Sequence, residues 1–101
     1  MLVPEKAAFS IGDLPFEIGA FMEPLSCVVH GVERARIGLA DHVAVLGAGP
    51  IGILMIQMAR IQGAAHITIL EINPGRADLA RQLGADSVVN SFDELKPDTY
   101  D

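Results

Sequence analysis

The fold is decided by the stretch HVAVLGAGPIG at residues 42–52, which is followed by an apolar run to Gly63 and by HITILE at residues 66–71. Val43, Val45 and Leu46 make a short β-branched and apolar run, as expected for a strand buried on both faces. Three glycines and a proline follow, and then a run with helical spacing. The pattern predicts a strand, a glycine turn, a helix, a second strand and a terminal acid.

Each glycine of this turn has a physical reason. Gly47 lets the chain turn sharply, Gly49 has no Cβ and lets backbone approach a pyrophosphate, and Gly52 lets the helix pack closely on the strand. Pro50 fits the first helical turn, where its missing N–H breaks no bond. The free N–H groups and the positive dipole at this helix end can bind phosphates. These features predict a dinucleotide-binding βαβ unit with Ile51 in its first helical turn.

Glu71 lies about 20 residues beyond Gly52, where a carboxylate can accept hydrogen bonds from the adenosine ribose. Like charges about 4 Å apart repel by about 4 kcal/mol at an effective dielectric constant of about 20. We therefore expect NAD in preference to NADP, whose 2′-phosphate would meet this acid. Arg76 is interpreted either as helix-surface charge or as a residue that holds Glu71 and the ribose in place.

Two alternatives to a nucleotide site remain open. One is a tight strand-to-helix turn without a ligand. The other is a membrane span, because residues 43–59 contain no charged side chain and approach the length of a span. The glycines and the proline in the middle of this run, and Arg60 at its end, argue against the span.

The composition fits one small domain. The chain has 101 residues, half of them hydrophobic, and a net charge of −6. This charge argues against nucleic acid or an anionic membrane as a partner. Cys27 is the single cysteine, so an internal disulfide is impossible and a reducing, cytoplasmic setting is expected. Pro4, Glu5 and Lys6 stand where an export signal would need its apolar core.

The remaining elements follow from local patterns. We predict a short strand near residues 8–11, a helix over 16–36, a helix over 51–62, and a helix that begins at Pro74 and ends before Gly84. A strand over 86–90 and loop over 91–101 follow. Pro24 should kink the first helix or begin a new segment after Glu23. Asn73 is a candidate N-cap for the helix that begins at Pro74.

The predicted order is β-α-β-α-β: an α/β fold that forms half of a Rossmann doubly wound parallel sheet, preceded by an interdomain helix. In that order strand one is central, so with three strands it becomes an exposed apolar edge that invites pairing. Helix 51–62 is apolar on nearly every face and needs a second cover, which we expect outside these residues. Both features suggest half of a larger structure.

The motifs GAGPIG at 47–52, FMEPLS at 21–26 and EPLSxxxH at 23–30 resemble the zinc-dependent medium-chain alcohol dehydrogenase family, in its polyol (sorbitol) and threonine dehydrogenase-like branch. The resemblance extends from about Pro4 to Asn90 and corresponds to a central fragment. It implies that residues 1–38 form the end of the catalytic domain and the interdomain helix. Residues 39–101 would then be the truncated first half of the NAD-binding domain.

The resemblance also implies roles for single residues. Ile51, Glu71 and Arg76 match residues that contact NAD, and Cys27 matches a position near the nicotinamide ring. Glu23 matches an acid beside the catalytic zinc, a direct or water-mediated metal ligand that touches substrate. In the family, zinc polarises the substrate oxygen while hydride passes to NAD. The main zinc ligands of the family lie upstream of this chain, and one carboxylate cannot hold a tetrahedral zinc site.

Two functions from different classes follow. The first is the NAD-binding segment of a zinc-type oxidoreductase that transfers hydride between a small alcohol or polyol and NAD, with this chain alone inactive. The second is a stand-alone nucleotide-binding or assembly module that dimerises through the strand-one edge without catalysis. Either way we expect a homo-oligomer or pairing with the missing part of the fold. In the simpler readings Glu23 is a solvated acid, Cys27 is a buried small hydrophobe, and His30, His42 and His66 are structural or exposed.

Overall fold

A computed structural model describes residues 2–101; Met1, the start of the predicted 1–38 segment, lies outside the described residues. Strands β1 (His42–Leu46), β2 (His66–Leu70) and β3 (Ser87–Val89) form one parallel sheet in the order β1-β2-β3. The third strand is shorter than the predicted 86–90. The predicted half of a Rossmann sheet is confirmed.

Two helices connect the strands. Helix α3 (Pro50–Gln62) joins β1 to β2, and helix α4 (Pro74–Gln82) joins β2 to β3. Both are followed by the glycines that the sequence indicated, Gly63 with φ +108° and Gly84 with φ +115°. This left-handed conformation suits a residue without a Cβ and ends a helix.

The core lies between the sheet and these two helices. Ile67 and Ile69 alternate along β2, so their side chains share one face of the sheet. On that face they join Ile56 of α3 and Ala80 of α4, and all four side chains are completely buried. Helices α3 and α4 therefore cover the same side of the sheet.

A further helix, α2 (Met22–Ala35), covers the outer side of α3. Its Val28 and Val32 are buried. A Cβ at Gly31 would come within 2.9 Å of the Met55 side chain, so this glycine allows the two helices to approach closely. Helix α2 therefore provides part of the second cover of α3. Ile51 and Ile61 of α3 stay 45% and 75% exposed, and further cover from outside these residues stays a prediction.

The N-terminal part departs from two predictions. The predicted helix over 16–36 is divided into α1 (Phe16–Gly19) and α2, with the break ahead of Glu23 rather than after it. Pro24 consequently lies in the first turn of α2, where the lack of an N–H costs no intrahelical bond. The predicted strand near 8–11 is absent from the described structure, where only a 3₁₀ turn, Glu5–Ala7, precedes α1. Phe9 is 86% exposed there.

Strand β1 is an edge strand, as predicted. Its Leu46 is 61% exposed. The C-terminal segment forms two 3₁₀ turns, Phe92–Glu94 and Pro97–Thr99, and then reaches the start of β1. There Asp101 N donates to the His42 carbonyl at 3.1 Å, and the Asp101 carboxylate accepts from His42 N at 2.9 Å.

The uncharged run 43–59 belongs to several elements: most of β1, the glycine turn and most of α3. Within residues 2–101, no helix combines the length and the apolar character needed to cross a bilayer.

Arg60 near the end of α3 ties the helix to both neighbouring strands. Its guanidinium donates to the Ala64 carbonyl at 2.8 Å and the Gly84 carbonyl at 2.9 Å, and it pairs with Asp86. Asp86 also accepts from Ile67 N at 2.7 Å. One side chain thus holds the entrances of β2 and β3 together.

Replacing Arg60 with methionine keeps the apolar stem and removes these donors. We expect Arg60→Met to lower the free energy of unfolding by about 1–3 kcal/mol, because carbonyl groups and a carboxylate lose charged hydrogen-bond partners. Urea denaturation measures the loss. The control is Arg81→Met, whose exposed pair with Asp78 is worth about 0–1 kcal/mol. Equal losses in the two variants would contradict the role given to Arg60.

Candidate nucleotide site

The glycine turn after β1 is held closely against α3. Gly47 has φ +94°, a conformation that residues with a side chain rarely adopt. A Cβ at Gly52 would lie 1.9 Å from the Gly47 carbonyl oxygen, so any side chain there would displace the backbone. Two of the three glycines are therefore required by the turn itself.

The third glycine faces open space. A Cβ built on Gly49 has no heavy atom within 4 Å, and its φ of −70° is accessible to any residue. The turn therefore does not require glycine at this position. The space that a side chain would fill lies at the start of α3, where an anion could approach the backbone.

The N-terminus of α3 presents free donors beside this space. Pro50 is the first helical residue, and the first bond to the cap runs from Ile53 N to the Gly49 carbonyl at 2.9 Å. The N–H groups of Ile51 and Gly52 precede that bond, and such groups at a helix start have no intrahelical acceptor. Amides and dipole together favour a phosphate here.

Glu71 follows β2 at the same edge of the sheet. Its side chain is buried, with 4% exposed. One oxygen accepts from Ala48 N and the other from Asn73 N, both at 2.8 Å. The carboxylate therefore joins the glycine turn to the segment that leads into α4.

Arg76 forms a bidentate pair with this carboxylate. Its Nε donates to one oxygen at 3.0 Å and its Nη2 to the other at 2.9 Å. The Arg76 backbone N–H donates to the side chain of Asn73 at 3.0 Å. Asn73 is thereby the N-cap of α4, as predicted. Of the two interpretations of Arg76, the pair supports the one in which it holds Glu71.

The pair and the two amides keep Glu71 ionised. The hydrogen bonds from Arg76, and then those from Asn73 and Ala48, lower the pKa of Glu71 to about 2. The same contacts raise the pKa of Arg76. At neutral pH the site therefore holds a buried anion and a half-exposed cation in direct contact.

The residues present fit the adenosine and pyrophosphate portions of a dinucleotide. The open space at Gly49, the free amides at the start of α3 and the carboxylate at the end of β2 lie on one edge of the sheet. This is the edge at which ligands bind in open α/β sheets.

Glu23 and Cys27 lie apart from this edge, on α2. The Cys27 thiol donates to a Glu23 carboxylate oxygen at 3.6 Å, and Cys27 is exposed, so its interpretation as a buried hydrophobe is wrong. Gly31 is one turn further along the same helix face. It lines an apolar groove of about 480 Å³ that also contacts Gly47 and Gly52. The groove joins the Gly31 part of α2 to the glycine turn, and neither Glu23 nor Cys27 lines it.

The donor set for a metal is incomplete in residues 2–101. Nowhere in this part of the chain do three histidine, cysteine, aspartate or glutamate side chains come together as metal ligands do. Glu23 has only the Cys27 thiol beside it among such groups. These residues alone do not fit a tetrahedral zinc ion.

Sequence reasoning missed some contacts of the site. Ala48 and Asn73 hold Glu71 through their backbone N–H groups. Such contacts cannot be predicted from the residue type, because the backbone N–H is common to all residues except proline. His42 and His66 lie side by side across β1 and β2, with ring centroids 5.6 Å apart, and His66 bonds to Ser87. They are remote from Glu71, at the opposite ends of these strands.

The lowered pKa of Glu71 predicts a pH dependence. The unfolded chain takes up a proton near the ordinary value of 4.5, whereas the folded chain does so near 2. Glu71 therefore stabilises the fold above about pH 4.5, and this contribution is lost as the pH falls towards 2. Urea unfolding of wild type and Glu71→Gln across this range measures it. We expect the difference in free energy of unfolding between the two proteins to shrink on acidification. A difference that stays constant would contradict the lowered pKa of Glu71. The control is Glu17→Gln, at an exposed site on α1.

Comparisons with known proteins agree with this geometry. The family model described as Zinc-binding dehydrogenase matches residues 50–100. The erythritol/L-threitol dehydrogenase of Mycolicibacterium smegmatis is 44% identical over 78 residues, which are 77% of this chain and 22% of that protein.

Solved structures show the same relationship. Galactitol-1-phosphate dehydrogenase from Escherichia coli superposes with a TM-score of 0.79 at 35% identity, covering 95% of this chain and 28% of that chain. A zinc-binding dehydrogenase from Sinorhizobium meliloti, solved bound to NADP, gives a TM-score of 0.69 at 41% identity. The match covers 70% of this chain and 21% of that chain. The chain thus spans between 21% and 28% of the length of these three proteins. With half of its length matched by the family model, the chain belongs to the zinc-binding dehydrogenase family.

Proposed function

We propose that this chain is the part of an NAD-dependent alcohol or polyol dehydrogenase that binds the adenosine half of the cofactor. The observation that carries the proposal is the position of the buried Glu71 carboxylate, which is hydrogen-bonded to the glycine turn next to the open space at Gly49. A tight turn without a ligand would not require the open space at Gly49.

The binding residues divide by the part of the cofactor they contact. The pyrophosphate lies against Gly47, Gly49 and the start of α3, where Pro50, Ile51 and Gly52 form the first turn. The ribose lies against Glu71, and Arg76, which pairs with this carboxylate in the absence of a ligand, borders the ribose subsite. NAD is preferred over NADP because a 2′-phosphate would approach a carboxylate that stays ionised at neutral pH.

Catalysis belongs to the complete dehydrogenase. There Glu23 would be the acid beside zinc and substrate, and Cys27 would lie near the nicotinamide. The two side chains are in contact on one face of α2. Zinc would polarise the alcohol oxygen for hydride transfer to NAD. Residues 2–101, in which the zinc donors do not come together, are inactive by themselves.

The chain contains parts of two domains of the proposed dehydrogenase. Residues 1–38 are the end of the catalytic domain and the interdomain helix, and residues 39–101 are the first half of the NAD-binding domain. The substrate is a small alcohol or polyol, the class named for the erythritol/L-threitol enzyme. The cytoplasm is the setting, consistent with the free thiol of Cys27, and the complete enzyme is a homo-oligomer.

A nucleotide-binding module that dimerises is the second candidate. The edge position of β1 and the 61% exposure of Leu46 favour it, because an unpaired apolar edge can add strands from a second copy. The two candidates share the nucleotide site and differ in the oligomeric state.

NADH titration of the purified chain, followed by nucleotide fluorescence, tests the first candidate. We expect saturable binding, weaker binding of NADPH, and at least about tenfold weaker NADH binding by Glu71→Ala, because the glycine turn and the entrance of α4 lose the charged acceptor that holds them. Gly49→Ala should bind less while unfolding like wild type, because its Cβ enters space that only a ligand would fill.

Asp98→Ala, which removes a remote acid from the C-terminal segment, is the control for net charge. An unchanged affinity in both Glu71→Ala and Gly49→Ala would reject the site. Alcohol-dependent NADH production by the chain alone would contradict the proposed inactivity.

Sedimentation velocity tests the second candidate. A dimer is expected if β1 pairs with its copy, and Leu46→Lys should dissociate it, because a charge on an edge strand opposes pairing. Leu2→Lys, at a fully exposed leucine outside the sheet, is the control. A monomer at all concentrations would exclude the module that works by pairing.

A further inference from the structure

We propose that Arg76 is an intramolecular competitor for the ribose site, so that a nucleotide diol binds Glu71 only when the guanidinium has left the carboxylate. This inference rests on the proposed nucleotide function and adds a conformational step to it. Arg76 then has two positions, one on Glu71 and one displaced by the ligand.

The carboxylate of Glu71 is saturated in the described structure. It accepts from Ala48 N, Asn73 N, and Nε and Nη2 of Arg76, at distances between 2.8 and 3.0 Å. An ionised carboxylate offers about four lone-pair sites. A ribose that donates two hydroxyl groups to this carboxylate therefore needs sites that are already occupied.

Arg76 is the donor that can leave. The amides of Ala48 and Asn73 belong to the turn and to the entrance of α4, so they cannot move without the backbone. The Arg76 side chain is 53% exposed, whereas that of Glu71 is 4% exposed. Within residues 2–101 its guanidinium has no hydrogen-bond partner apart from Glu71. Rotation of one side chain into solvent frees two acceptor positions.

The competition has a measurable consequence. Each hydrogen bond gained by a ribose hydroxyl replaces one lost by Arg76, so the diol adds little net affinity in the wild-type chain. Without the guanidinium, the same hydroxyls would gain their bonds to Glu71 unopposed. The affinity ratio between a ligand with the diol and one without it reports this difference, and contacts of Arg76 with the base or phosphate cancel in that ratio.

The experiment compares AMP with 2′,3′-dideoxy-AMP by calorimetric titration of wild type, Arg76→Gln and Arg81→Gln. Arg81 is the matched control: it lies on α4, its side chain is also 53% exposed, and it pairs with Asp78. We expect the preference for AMP to rise about tenfold in Arg76→Gln, the equivalent of one hydrogen bond to a charged group. Arg81→Gln should keep the wild-type ratio.

An unchanged affinity ratio in Arg76→Gln would overturn the proposal, because Arg76 would then have no effect on binding of the diol. A smaller ratio would also overturn it, because Arg76 would then be a favourable contact of the diol. A second readout is the Arg76 Nε–H resonance in ¹⁵N-edited NMR spectra. Saturation with AMP should move it to the position of a solvated guanidinium, whereas saturation with the dideoxy nucleotide should not. Binding of AMP with this resonance unmoved would also overturn the proposal while leaving the nucleotide site intact.

Failure of the nucleotide function gives a different result. If neither wild type nor Arg76→Gln binds AMP, the proposed function and the competition are rejected together. If only Arg76→Gln binds, Arg76 is the competitor and its pairing with Glu71 closes the site in the isolated chain.

Discussion

The hydrogen bonds of one buried carboxylate connect the parts of the nucleotide site. Glu71 accepts from the turn after β1 at Ala48 and from the entrance of α4 at Asn73, and it pairs with Arg76. Bonds to an ionised acceptor are stronger than bonds between neutral groups. The position of the glycine turn therefore depends on the charge of a residue on the neighbouring strand. An acid here organises the site whether or not a ligand is present.

The three glycines of the turn have separate roles, which a motif alone does not distinguish. Gly47 adopts a left-handed conformation and Gly52 makes room for a backbone carbonyl. Neither of these structural reasons applies to Gly49, whose missing side chain leaves space at the start of α3. The turn itself requires two of the glycines, and the third leaves open space at the helix start. The ligand proposed for this space is the pyrophosphate of a dinucleotide.

Sequence reasoning predicted the elements that depend on short-range patterns. The run HVAVL, the glycine spacing and the Asn73-Pro74 cap each specify structure within a few residues, and the strands and helices of the sheet were found there. Sequence reasoning failed where contacts between distant segments of the chain determine the packing. In the packing of α2 on α3, Gly31 lies beside the Met55 side chain, a pairing that periodicity in either helix does not show. The bonds that saturate Glu71 were also hidden, because two of them come from backbone groups.

The bond between Asp101 and His42 has a consequence for the order in which the chain folds. It joins residues that are 59 positions apart, whereas the glycine turn and α3 follow β1 directly. During synthesis from the N-terminus, the outward backbone groups of His42 therefore stay unpaired until Asp101 has emerged from the ribosome. Uncovered strand edges are where nascent chains associate wrongly. Asp101 then protects the first residue of β1, whereas the end of the strand at Leu46 stays exposed.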